Sequence, residues 1–425
     1  MPSDPHTRRP PLVDVRTGEA WPLAWGAGSF FCVLASYYVL RPVREAYGAG
    51  FSSAELAWSF VWTLAAMVVA TPIYSLVVAA LPRRRLLTVV DGFFVLNLLG
   101  LWWGLAHAGD PAPLALKRVF FVWLSVFNLY VVTLFWSVAV DSFTSAQGKR
   151  LFGVIAAAGT TGGIVGSLLC DAFVRFGRPH DVLLASAALL VGSIACGNRL
   201  RRAANASPDE GDLPDESVPA EDPFSAFRGA IDVARSPFLA AIGVTIVLAC
   251  VNATGVYVQM LELVRQQLPD EAERRQWFSA LNLYQNGLTL LGQFVGVSWL
   301  MRTAGVGATL AVAPIVYLAG FAVLGLGYSE LWLLGAFDVL QRCVSFAFAG
   351  PAREVLFTTV APDEKYRAKA FADTVLKRVG DAIAAWCGQF STATGYARWM
   401  LPVAGAAILL ASWLGRAHKA REAQH

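Results

Sequence analysis

Charge is what this chain has least of. Asp, Glu, Lys and Arg make up 15% of its 425 residues, where a soluble domain carries about a quarter, and the mean hydropathy is +0.52. That shortage excludes a soluble globular domain. Cysteine is sparse as well. Cys32, Cys170, Cys196, Cys250, Cys343 and Cys387 stand singly in apolar runs with no C-x-x-C pair, which excludes a disulfide framework and a zinc site. The five histidines lie in tails or near predicted helix ends, so a histidine proton relay and an H-E-x-x-H metal motif are both missing. The one Gly-Lys pair, Gly148-Lys149, is followed by Arg150, so there is no P-loop. Neither G-x-S-x-G nor a dinucleotide fingerprint is found. No enzyme, metal or cofactor is expected, and the lack of a basic-aromatic patch argues against nucleic acid. The first twenty residues are polar and Pro-rich without a cleavable signal, so the first apolar helix is expected to serve as an uncleaved anchor.

Long apolar runs take the place of these features. A requirement of about 17–25 mainly apolar residues yields twelve, at about 22–41, 56–80, 86–106, 119–141, 151–174, 181–198, 237–261, 277–300, 306–327, 331–356, 370–394 and 398–415. The expected fold is an all-α membrane protein of twelve transmembrane helices in two pseudo-symmetric six-helix bundles, residues 1–198 and 237–425. They are joined by 199–236, the only long polar stretch, acidic and rich in Pro and Ser. Its end, Asp222-Pro223-Phe224 onward, predicts a short helix on the cytoplasmic membrane surface. A two-to-one excess of Lys and Arg in the segments on the side of the termini puts both ends in the cytoplasm. The halves also echo one another: a shift of 218 residues superposes Gly162 on Gly380, each in a helix that comes after a basic loop. Two six-helix repeats are the architecture of major-facilitator transporters. The pairs Gly159/Gly163, Gly162/Gly166 and Gly292/Gly296 have small-xxx-small spacing for close helix contact.

Charges inside these helices are the candidates for function. Each costs about 2.5–3.5 kcal/mol at mid-membrane, so it must face protein or water. On an ideal helix Asp373, Lys377 and Asp381 fall within an arc of about 80°, with Arg378 about 60° further round. Asp338, Arg342, Ser345, Ala349 and Arg353 form a similar stripe, and Pro351 should kink that helix or free a backbone carbonyl near its cytoplasmic end. In the first half Tyr37, Tyr38, Arg41, Arg44 and Glu45 close helix one, and Asn128, Tyr130, Asp141 and Lys149 lie in or just after helix four. Forked guanidinium donors beside tyrosines suit an anion with a planar part. Tyr37, Arg41, Arg44, Asn128, Asp338, Arg342, Lys377 and Arg378 are therefore read as substrate-binding. Glu45, Lys149, Arg353, Asp373 and Asp381 are read as gating or coupling residues. The competing readings are an ion-pair lock between helices for the α-helical charges of the second half, and interfacial snorkelling for Arg41 and Arg44. Asp91, Glu262 and Arg265 are read as structural or exposed.

Three patches resemble a known family. Tyr38-Val-Leu-Arg41-Pro-Val-Arg44-Glu45, Phe135-Trp136 with Lys149-Arg150-Leu-Phe152, and Arg353-Glu354-Val-Leu-Phe with Lys365-Tyr366-Arg-Ala-Lys369-Ala-Phe371 are similar to the ATP/ADP translocase (nucleotide transporter) family of plastids and intracellular bacteria. The similarity is closer to its shorter relatives in free-living bacteria. Arg41 matches the family's Arg, while Arg44-Glu45 stand where the family has Lys-Asp, and Lys and Arg are not equivalent at a phosphate site. The resemblance implies a secondary transporter in a bacterial inner membrane, acting as a monomer in the lipid bilayer on a small anionic substrate, a nucleotide or other phosphorylated metabolite, by alternating access or exchange. Two other readings stand beside it: a proton-coupled exporter of amphipathic molecules using Asp373 or Asp381, and a non-transporting membrane sensor.

Overall fold

Runs of apolar residues with no charge to pull them into water close into helices that satisfy every backbone group internally. In the computed structural model, which describes residues 15–16, 18–107, 113–205, 225–295, 297–328, 330–360, 362–389 and 393–422, these runs become a helical bundle. The first six are α1 (Ala20–Ala49), α2 (Ser53–Ala80), α3 (Arg83–His107), α4 (Leu114–Ser142), α5 (Ser145–Arg175) and α6 (Val182–Asn205). A short α7 (Ser225–Arg235) precedes α8 (Pro237–Gln267), α9 (Glu271–Val295), α10 (Val297–Gly325) and α11 (Leu331–Val344). The rest is α12 (Gly350–Leu356), α13 (Pro362–Phe371), α14 (Lys377–Gly388) and α15 (Ala393–Glu422), with π-helical turns at Ser345–Ala349 and Ala372–Leu376.

Polar residues set the starts. Ser52 with Glu55, and Thr144 with Gln147, form capping boxes, and Ser236 caps α8 with Pro237 in its first turn. Among the described residues ten helices are long and apolar enough to span a membrane. Of the twelve expected passes, those at α9 and at the continuous run α13–π turn–α14 carry polar residues that keep them below that mark. The expected 370–394 helix begins earlier, at Pro362. Gly305, with φ of +84°, separates the end of one pass from the start of the next inside α10, a conformation glycine adopts without cost.

The packing repeats. Just as α1 packs on α4, α5 and α6, so α8 packs on α11, α14 and α15; α3 packs on α6 as α10 does on α15; and α2 packs on α4 as α9 does on α11. Small residues let backbones meet. A Cβ on Gly162 would run into the carbonyl of Phe31 in α1, and one on Gly380 would lie 2.8 Å from the carbonyl of Val247 in α8. The 218-residue echo in the sequence is thus a repeated helix contact. Gly159 and Gly166 serve the same α1–α5 seam, against Phe30 and the Ala35 carbonyl, and Gly292 meets Ala347. The side of the bundle holding the α1–α2 and α8–α9 turns is termed the turn face, and the side holding Glu19 and α7 the linker face.

The helix expected after the linker is present as α7 and docks on α13: Gly229 meets the Arg367 backbone, and Arg367 pairs with Asp232 at 2.7 Å. The capping residues Asp222, Pro223 and Phe224 lie outside the described residues. Pro351 sits in the first turn of α12, and the strain it would impose is absorbed just before it by the π turn, which widens the helix where proline's ring would press on a preceding carbonyl.

Candidate functional site

The charges expected to line one cavity fall into two groups. The first lies toward the turn face, where α1, α9 and α11 meet. Glu45, 1% exposed, accepts from Arg41 Nε at 2.9 Å and from Asn282 Nδ2 at 2.9 Å, and Arg342 Nη1 stands 3.6 Å from it. Arg342 also donates through Nε to Asp338 Oδ1 at 3.1 Å and through Nη1 to Asn282 Oδ1 at 3.4 Å. Gln341 donates to the same Asp338 oxygen and in turn accepts from Tyr317 at 2.7 Å. Arg41 lies against the rings of Tyr37 and Tyr38, its guanidinium carbon 6.0 and 5.4 Å from their centroids. Two acids and two guanidinium groups are thus buried together with an amide between them. Such burial is tolerated only when the hydrogen bonds of each ion are largely filled. Glu45 and Arg41 come from the first six helices, the rest from the second, so the network is also a bridge.

The second group sits at mid-depth on the π turn and α14, a run that packs on α8 to one side and α2 to the other. Lys377 Nζ pairs with Asp373 Oδ1 at 2.7 Å, with side chains 30% and 32% exposed. Arg378 Nη1 pairs with Asp381 Oδ2 at 2.8 Å, and Asp381 Oδ1 accepts from Thr254 of α8 at 2.6 Å. The four charges expected on one face pair two by two along the run, Asp373 with Lys377 across the π turn at 372–376 and Arg378 with Asp381 within α14. A second π turn, at 345–349, lies between the Asp338–Arg342 stripe and Arg353. Arg353 is half-buried on α12, within electrostatic reach of Asp373.

Other expected site residues are placed elsewhere. Arg44 turns onto α4, its Nε donating to the Phe121 carbonyl at 3.1 Å and its guanidinium 3.8 Å from the Phe121 ring centre. That is a packing contact, not part of the network. Asn128 is half-buried on α4 and takes no part in either group. Lys149 belongs to α5, but its side chain lies outside the described ones. The patch around it is a latch at the linker face: Arg150 grips both oxygens of Glu19 at 2.6 and 3.0 Å, and Trp136 packs on Phe152. Asp91, read as structural or exposed, is fully buried, with neither carboxylate oxygen hydrogen-bonded. Glu262 and Arg265 pair at 2.6 Å on the end of α8.

Sequence reasoning passed over α9. Ser279, Asn282, Gln285, Asn286 and Thr289 are all buried. Their spacing of three or four residues was the available signal, a polar stripe within an apolar run. Two of its members face α5, where Ser279 donates to the Ser167 carbonyl at 2.5 Å and Asn286 lies against Gly163, while Asn282 turns to α1 and α11.

The two sets of six helices are bridged by polar contacts toward the turn face. Besides the Glu45 network and Ser279, Lys117 pairs with Glu271 at 2.5 Å, and Arg275 donates to Tyr47 at 3.5 Å. Toward the linker face the pairs Glu19–Arg150, Arg83–Asp141, Asp232–Arg367 and Glu354–Lys369 each stay within one set.

No protein-family model and no curated protein matches the chain. Solved structures do. The nucleoside transporter NupG shares 14% identity over 94% of this chain and 98% of its own, with a TM-score of 0.63. A bacterial homologue of the iron transporter ferroportin in its inward-facing state shares 13%, over 94% and 98%, with a TM-score of 0.63. A bacterial homologue of the human lysosomal transporter Spinster, inward-facing and unoccupied, shares 13%, over 96% and 98%, with a TM-score of 0.54. At such identities the shared property is architecture, and the chain has the all-helical, multi-pass fold of these transporter structures.

Proposed function

We propose that the chain is a secondary transporter that carries a small organic anion, with nucleotides and other phosphorylated metabolites favoured, by alternating access. On this reading residues 1–198 and 237–425 are the two rocking units and 199–236 the connection. The protein acts as a monomer in a bacterial inner membrane with both termini cytoplasmic. The observation that carries the reading is the asymmetry between faces. The polar bridges between the units lie toward the turn face, while Asp373, Lys377 and Arg378 at mid-depth keep part of their surface open. This is the disposition of a carrier closed outside and open inside.

An anion entering from the linker face meets Lys377, Arg378 and Arg353 first. Each is a donor whose charge an arriving phosphate or carboxylate can take over from Asp373 or Asp381. Neutralising that cluster frees the acids and changes the contacts along α14, which touches α2 of the other unit. Binding is thereby linked to the rocking step through contacts that differ between the two states. Arg41 and Arg342 become available only when the Glu45 network parts. Substrate and carboxylates then compete for the same cations, which favours exchange of one anion for another.

Thermal unfolding of the purified full chain against nucleotides, sugar phosphates and dicarboxylates tests this. A ligand held by the folded form alone raises the midpoint in proportion to ln(1 + [L]/Kd). A shift with one anion class, lost in Lys377→Ala, is expected. No shift with any organic anion would remove the assignment.

A further inference from the structure

A wide cavity lies away from these charges. It is a groove of about 1250 Å³ between α2 on one side and α3 and α4 on the other. Its origin is visible in α2, whose buried residues, Leu56, Ala57, Ser59, Phe60, Thr63 and Met67, all lie at or before its fifteenth residue of 28. Beyond Met67 no residue of the helix is buried; Thr71 and Tyr74 touch Tyr130 of α4, while Val69, Ile73 and Leu76 are each more than half exposed. The wall of the groove is almost wholly apolar along its length, and its charged residues, Glu55 and Arg118, sit together at the turn-face end. They pair through Arg118 Nη2 at 2.5 Å, with side chains 28% and 43% exposed. Arg118 Nε has no acceptor, and neither has the indole N–H of Trp123, on the same wall.

We propose that this groove binds one phospholipid from the leaflet at the turn face, its acyl chains between α2 and the α3–α4 wall and its phosphate on Arg118. The shape and charge fit that occupant and little else. Apolar surface of this extent in a spanning segment meets acyl chains. An occupant of that kind has its charged end only at the membrane surface, the level at which the groove offers the partly exposed guanidinium of Arg118. A guanidinium paired at one nitrogen retains its fork for phosphate. Because α2 also packs on α14, through Trp58 and Trp386 with ring centres 5.5 Å apart, the lipid would hold α2 against the second set of helices. The site is independent of the transport function proposed for the chain.

Native mass spectrometry of the full chain in mild detergent, titrated with dioleoylphosphatidylcholine and with dioleoylglycerol, tests the proposal. One phospholipid per chain is expected, with the phosphate-free lipid bound about tenfold more weakly, the loss of about one charge-assisted hydrogen bond. Arg118→Gln should erase that difference. Ala65→Trp and Val69→Trp, at exposed positions lining the groove, should displace both lipids while leaving the unfolding midpoint unchanged. Retention equal to the wild type in both tryptophan variants, or equal binding of the two lipids by the wild type, would overturn it.

Discussion

The Glu45 network and the charges of α14 are made from the same side chains, carboxylates facing guanidinium or ammonium groups, but they differ in who supplies the partners. Glu45 receives donors from α1, α9 and α11, and almost nothing of it is exposed. Asp373 has the ammonium of its own helix and is about a third exposed. An ion removed from water must have its lost hydration replaced by fixed donors, and helices of both units contribute them at Glu45, so that cluster is a structural joint. An ion that keeps part of its surface open has an exchangeable partner, which a ligand can displace. Similar residues thus form a bolt in one place and, on the function proposed above, a binding surface in the other.

The largest effect expected from this contrast is on stability. Glu45→Ala leaves Arg41 and Arg342 buried beside each other without their shared acid and should cost about 3–5 kcal/mol, read as a lower unfolding midpoint of the purified chain. Asp373→Ala, at a half-open pair, should cost no more than about 1 kcal/mol. Equal losses would erase the distinction. Ligand binding should respond in the opposite order. Lys377→Ala or Arg378→Ala should weaken anion binding by about 1.5–3 kcal/mol, the worth of a hydrogen bond to a charged group, with the ligand-free midpoint nearly unchanged. Asn282→Ala removes one donor from Glu45 and one acceptor from Arg342 and should loosen the joint by about 1–3 kcal/mol. A cysteine pair at Ser167 and Ser279, in place of the native hydroxyls, should then cross-link more slowly than in the parent.

The smallest effect lies outside the membrane-spanning helices. The Arg150 guanidinium holds the Glu19 carboxyl below the usual carboxylate range, with the Arg16 backbone N–H assisting and burial opposing. A carboxyl lowered on folding contributes stability that is fully present above its unfolded value of about 4.3 and is lost as pH falls through the folded value. The gap in unfolding midpoint between wild type and Glu19→Gln should therefore be present at neutral pH and close in the acid range. A gap that persists below both values would show that Arg150 acts through packing alone.

The helices were legible because composition dictates them: an uncharged run of twenty residues has few other stable states in a bilayer. Gly162 and Gly380 were legible as a repeat for the same reason, since only glycine admits a second backbone at those seams. The partners of the charges were not. Ideal-helix arithmetic put Asp373, Lys377 and Asp381 on one face, and Asp373 and Lys377 do pair, but Asp381 is held by Arg378 and Thr254, and no local residue pattern announced the five-residue turn at 372–376. Arg44 and Arg41 look alike in sequence, three residues apart on one helix, and only the position of the Phe121 ring sends one to packing while Glu45 claims the other. Asn282 was missed because a single neutral amide in an apolar run carries no charge signal, although its neighbours at three- and four-residue spacing repeat it.

Transport as proposed requires Lys377 and Arg378 to meet an anion that then crosses the membrane. Uptake of labelled nucleotides and sugar phosphates into proteoliposomes preloaded with the unlabelled compound measures this directly. Saturable uptake of one such anion by the wild type, abolished in Lys377→Ala protein that unfolds at the same temperature, is the predicted result. Undiminished uptake by the Lys377→Ala protein, or uptake of no organic anion by the wild type, would contradict it.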